Sequence, residues 1–120
     1  IILVDVSFIS ISLIFEAIYN LTKDIADFIL LIKPQFEVGR GNVGKKGVVR
    51  EPAQHFEVIS KIINQGFNLN LKVGGLDYSP ITGPEGNIEY LLWLLKGKEG
   101  IVFDESLISQ VVKRAHKALV

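Results

Sequence analysis

Apolar positions in this chain fall into short unbroken runs and helical stripes more often than into strict alternation, a pattern that predicts strands buried between layers of helices. Ile1 to Val6 is apolar and β-branched until Asp5, as expected of a buried strand with an acid near its carboxyl end. Ser10 or Ser12 can cap a helix that carries Leu13, Ile14, Ala17, Ile18 and Leu21 on one side. A second strand, Asp27–Ile32, follows and ends at Lys33. There Pro34 removes a ladder donor and holds its predecessor extended. Strand, helix, strand is a βαβ unit. A right-handed crossover makes its strands parallel and brings Asp5 and Lys33 to one edge of the sheet, where open α/β folds collect ligands.

The polar loop Gln35–Val49 comes next. Glu51-Pro52 then opens a helix with Phe56, Ile59, Ile62 and Ile63 on its apolar side and Gly66 as its expected stop. His55, in the first turn, reads as a surface residue without a role. Leu69–Leu76 suits a strand in which Gly74 and Gly75 mark a bulge or a close backbone approach. The turn-rich segment Ser79–Asn87 leads into the strand Ile88–Leu95, interrupted only by Glu89 and Tyr90. Too short a link for a crossover helix predicts antiparallel pairing, which delivers Glu89 to the edge that holds Asp5 and Lys33. Asp104 caps a last helix with Leu107, Ile108, Val111, Val112 and Ala115 inward and Lys113, Arg114 and Lys117 near its end. The expected architecture is α/β: a mixed sheet in the order first, second, fourth, third, with flanking helices.

Composition narrows the function classes. The hydrophobic fraction of 48% fits a sheet-centred core, in a chain sized for one domain or part of one. With an initial Ile and no Met, it reads as a piece of a longer protein. Lys plus Arg and Asp plus Glu balance at 13 each, so nucleic-acid binding requires a local patch. The loop supplies one in Arg40, Lys45 and Lys46, with Arg50 just beyond it; a loop charged for solubility is the competing interpretation. Its GRGNVGKKG run lacks the Ser or Thr of a P-loop, which excludes a nucleoside triphosphatase. Absence of cysteine removes thiolate metal sites and is compatible with a cytosolic protein, and two distant histidines argue against zinc. Asp5 and Glu16 break the apolar opening run, so neither a transmembrane span nor a signal peptide is expected.

Three segments taken together, DVSFIS at 5–10, IKPQFEVGR at 32–40 and SPITGPEGNIEYLLWL at 79–94, resemble the hemolysin A (TlyA) family of FtsJ-like RNA 2'-O-methyltransferases; GVVREP at 47–52 fits as well. The resemblance spans nearly all of residues 1 to 96. It implies the carboxyl-terminal portion, over residues 1–120, of a Rossmann-like methyltransferase domain that uses S-adenosylmethionine and acts on ribosomal RNA or ribosomal subunits in the cytoplasm, without stable membrane insertion. Asp5, Lys33 and Glu89 match the last three members of that family's Lys-Asp-Lys-Glu catalytic tetrad. The first lysine, the glycine-rich cofactor motif and the S4-type RNA-binding domain would lie upstream of Ile1. The residue types suit the chemistry, since a ribose hydroxyl must be oriented and relieved of its proton, and two carboxylates beside a lysine serve to orient it. The alternative class is a non-catalytic RNA- or membrane-interacting protein of hemolysin type, for which a Lys-rich amphipathic helix faced with Trp or Phe would be expected. A phospho-acceptor role for Asp5 lacks companion acids for Mg²⁺.

Overall fold

In a computed structural model the described residues are 2–4, 20, 24–37, 48–83 and 86–119. They contain four strands, β1 (Ile2–Val4), β2 (Ala26–Ile32), β3 (Lys72–Tyr78) and β4 (Tyr90–Lys96). The sheet order is β1-β2-β4-β3. β1 runs parallel to β2, while β4 is antiparallel to both of its neighbours. Asp5, the expected continuation of the first strand to Val6 and the expected helix at Leu13–Leu21 lie outside the described residues.

Along β2 and β4 burial alternates. Phe28, Leu30 and Ile32 pair in register with Leu94, Leu92 and Tyr90, and all six side chains are buried. Helices α2 (Pro52–Asn68) and α3 (Glu105–Leu119) cover that face with Val58, Ile59, Ile62 and Ile63 from one and Ile108, Val111, Val112 and Ala115 from the other. Asp104 caps α3 as expected, its Oδ1 accepting from the Ser106 amide at 2.7 Å. On the opposite face Leu3, Leu91 and Trp93 are exposed. Trp93 is 42% exposed because its position in the alternation points away from the helices.

One glycine acts differently from its sequence reading, and another as expected. Gly66 does not stop α2, which continues to Asn68. Instead Leu69 and Leu71 both donate to the Gly66 carbonyl, and Asn70 turns the chain with φ at 62°. Gly66 is buried with Leu94 and Leu71 close to its Cα, so a small residue suits it for packing. β3 therefore starts three residues later than expected. The expected irregularity at Gly74 is present: register shifts between Val73 and Gly75, and the Trp93 ring lies where a side chain on Gly74 would stand. Beyond Lys33 the chain forms a short helical turn, α1 (Pro34–Glu37), where only loop was expected; Pro34 provides a ready first helical position.

His55 requires a correction. It is 0% exposed, although a surface position was expected for it. His55, Ile59, Ile62 and Gly66 repeat at helical spacing, so the stripe that faces the sheet includes the histidine. Desolvation pushes the His55 imidazole down to about 4, against the opposing hydrogen bond to Val49 and with the nearby His116 reinforcing the shift. The unfolded chain therefore binds more protons than the folded one between about pH 6.5 and 4. Stability from this group is complete above that window and is lost as pH falls through it, by about 3 kcal/mol in total. Urea midpoints between pH 7 and 4.5 should fall accordingly, and His55→Gln should flatten the decline; an equally steep variant curve would mean that other groups cause it.

Candidate functional site

β2 and β4 end together. Ile32 pairs with Tyr90, so Lys33 and Glu89 are the next residues outward on adjacent antiparallel strands, at the same edge of the sheet. Val4, the last residue of β1, pairs with Leu30 near that edge. Lys33 is half-buried, and its carbonyl accepts from the Phe36 amide at 2.9 Å, which starts α1.

Glu89 is only 8% exposed, an unusual position for a carboxylate outside the core. Two features accommodate it. The Gln35 side-chain amide donates to Glu89 Oε2 at 3.3 Å, reaching across from α1. Gly83 leaves the space that the carboxylate occupies, since a Cβ at that position would fall on Oε2. The backbone of Glu89 is fixed as well, its carbonyl accepting from the Ser79 amide at 2.8 Å. Gln35 Oε1 is buried and has no hydrogen-bond partner among the described residues.

The residues around Glu89 tie the site to the segment before α2. Asn87 Oδ1 accepts from the Val49 amide at 3.0 Å, while the Asn87 carbonyl accepts from the Gly83 amide at 2.7 Å. His55 Nε2 lies 2.8 Å from the Val49 carbonyl and Nδ1 lies 2.8 Å from the Tyr90 hydroxyl. A carbonyl can only accept, so Nε2 carries the proton and Nδ1 accepts from the Tyr90 O–H. Burial raises the Tyr90 phenol above its ordinary value, which keeps that donor protonated. The His116 ring lies 4.7 Å from that of His55, and its Nδ1 donates to the Val112 carbonyl at 2.8 Å.

Of the residues singled out from sequence, Lys33 and Glu89 thus share an edge. Arg50 is exposed beside Val49, whereas Asp5, Arg40, Lys45 and Lys46 lie outside the described residues. Sequence reasoning missed Gln35, Gly83, Asn87, His55 and Tyr90. The helical stripe could have located His55, and the alternation of Tyr90, Leu92 and Leu94 could have located Tyr90. Nothing in the sequence pattern signals Gln35. Among the described residues no group of three or more His, Cys, Asp or Glu is placed to hold a metal ion.

Comparison with known proteins supplies the context. The profile of the FtsJ-like methyltransferase family matches residues 1–96. The Bacillus subtilis protein YqxC is 45% identical over 119 residues, covering 97% of this chain and 42% of that protein. The 16S/23S rRNA (cytidine-2'-O)-methyltransferase TlyA of Mycobacterium tuberculosis is 40% identical over 90 residues, 75% of this chain and 34% of that protein. A solved structure of a protein named as a hemolysin, from Streptococcus thermophilus, superposes with a TM-score of 0.87 at 40% identity, over 97% of this chain and 42% of that one. The chain thus spans less than half the length of these relatives.

The geometry around Gly83 makes a direct prediction. Gly83→Ala should cost about 1–3 kcal/mol in denaturant unfolding, because the methyl must displace the Glu89 carboxylate. Glu89→Ala vacates that space, so the double variant should lose less than the sum of the two single losses. Strict additivity would show that the two residues do not touch in solution.

Proposed function

The chain belongs to the FtsJ-like methyltransferase family, and we propose that it forms the carboxyl-terminal, acceptor-side part of an RNA 2'-O-methyltransferase. The reaction transfers a methyl group to a ribose 2'-hydroxyl of ribosomal RNA, as named for the M. tuberculosis relative, with S-adenosylmethionine as the donor that the family implies. The observation that carries this reading is the register of β2 and β4, which sets Lys33 and a buried Glu89 side by side at one sheet edge.

In this reading S-adenosylmethionine supplies a sulfonium-bound methyl, and the chain described here handles the acceptor. The described residues contain no glycine-rich turn between a strand and a helix and so do not by themselves fit the cofactor's amino-acid end. Lys33 addresses the ribose hydroxyl. Glu89, held by Gln35 and seated against Gly83, orients the Lys33 side chain. Asp5, following the strand that pairs with β2, is assigned as the third member of the set. Arg50 is assigned to RNA phosphate together with Arg40, Lys45 and Lys46 from the adjoining segment. Cytoplasmic action on ribosomal RNA or ribosomal subunits follows from the same assignment. No helix among the described residues is long and apolar enough to cross a membrane.

Two experiments on the full-length protein test the reading. Lys33→Ala should lower methyl transfer to ribosomal RNA by roughly 10²–10⁴-fold, the loss typical of a positioned acid–base group, with S-adenosylmethionine binding nearly unchanged by calorimetry. Near-normal turnover would remove Lys33 from the mechanism. Alanine at Arg40, Lys45 and Lys46 together should flatten the salt dependence of RNA binding by about one unit of slope for each phosphate that is no longer neutralised. An unchanged slope would reduce that segment to a connector.

A further inference from the structure

Val49 is held from both sides of its peptide backbone. Its amide donates to Asn87 Oδ1 at 3.0 Å, and its carbonyl accepts from His55 Nε2 at 2.8 Å. Asn87 and Tyr90, which receive those connections directly or through His55, flank Glu89 in sequence. Val48 and Val49 are buried while Arg50 is exposed, so the fixed backbone ends in a charged side chain facing solvent. A buried neutral imidazole that donates through one nitrogen and accepts through the other forms a rigid link two hydrogen bonds long.

We propose that His55 is a positioning residue for the RNA substrate, fixing the Val49–Arg50 backbone against the Asn87–Tyr90 run so that Arg50 meets a phosphate in register with Glu89 and Lys33. This rests on the methyltransferase reading above and adds to it a residue that touches neither substrate nor cofactor. A core histidine without this role would also be buried and hydrogen-bonded. What separates the two cases is the identity of its partners: the imidazole does not satisfy its own helix but spans from the carbonyl next to Arg50 to the strand next to Glu89. The depressed protonation of His55 agrees with this, because a charged imidazole would present a second N–H to a hydroxyl that now donates.

The test uses the full-length protein, an in vitro transcribed ribosomal RNA and variants at two positions. His55→Ala should raise the KM for RNA about tenfold, the effect of removing one buried hydrogen bond that organises the RNA-facing backbone, and by more than it lowers kcat. It should also flatten the salt dependence of RNA binding by about one unit, as Arg50→Ala should. Since His55 acts through Arg50, the double variant should show no further flattening. Where His55→Ala does not fold, His55→Gln and His55→Asn decide the matter: the glutamine amide reaches the Val49 carbonyl and should keep KM and slope near wild type, whereas the shorter asparagine should lose both. Folded His55 variants with wild-type KM and slope would overturn the proposal, as would additive losses in the double variant. A wild-type protein that neither binds nor methylates ribosomal RNA would overturn the methyltransferase reading itself, whereas an active wild type with indifferent His55 variants overturns only this inference.

Discussion

The antiparallel insertion of β4 between β2 and β3 is the constraint on which the site depends. Its pairing with β2 extends without interruption from Ala26↔Lys96 to Ile32↔Tyr90, and a one-residue slip would exchange the two faces along the whole strand. Such a slip of β4 would turn Leu92 and Leu94 out to water, each costing roughly 1.5–3 kcal/mol of burial. The hydrophobic core therefore sets the register, and the register decides which residue opposes Lys33. Glu89 stands where it does because Leu92 and Leu94, further along the same strand, must face the helices.

A carboxylate brought to that position must still be kept there, and burial alone would favour its departure to water. One amide from Gln35 and the space at Gly83 are the local response. Gln35 follows Lys33 by two residues, on the helical turn that Pro34 begins. The turn that ends β2 thereby supplies both the lysine and the amide that restrains the lysine's carboxylate neighbour. A neutral amide suits this task, since it donates a hydrogen bond without competing as a cation for Glu89.

Much of the fold was legible because its causes are local. Pro34 ends β2, Asp104 begins α3, and a link of turn residues too short for a crossover makes β3 and β4 antiparallel; each follows from residues close in sequence. Lys33 and Glu89 were legible for the same reason, as strand-end residues whose edge follows from strand direction. Gln35, Gly83 and Asn87 were not, because their partners lie 54, 6 and 38 residues away and no spacing rule predicts a contact across the sheet edge. The boundaries of β3 escaped for another reason. Gly66 reads as a helix stop, yet its lack of a side chain serves the contact with Leu94 while the helix continues past it.

His55 shows where sequence rules conflict and how packing resolves them. A histidine in a first helical turn after proline is usually solvated, and transfer of its ring into a core disfavours the charged form. The stripe through Ile59, Ile62 and Gly66 nevertheless places position 55 against the sheet. Leucine or isoleucine there would fill the volume but leave the Val49 carbonyl and the Tyr90 hydroxyl buried without their partner, a cost of about 1–3 kcal/mol for each. Of the uncharged side chains, imidazole is the one with a donor and an acceptor on opposite sides of a flat, rigid ring. It meets the requirement at that depth with few rotamers to lose. The same properties that stabilise it in the core make it a stiff spacer between the Val49 backbone and the Tyr90 side chain. For that reason the position of Arg50 relative to Glu89 follows from hydrogen bonds made inside the core.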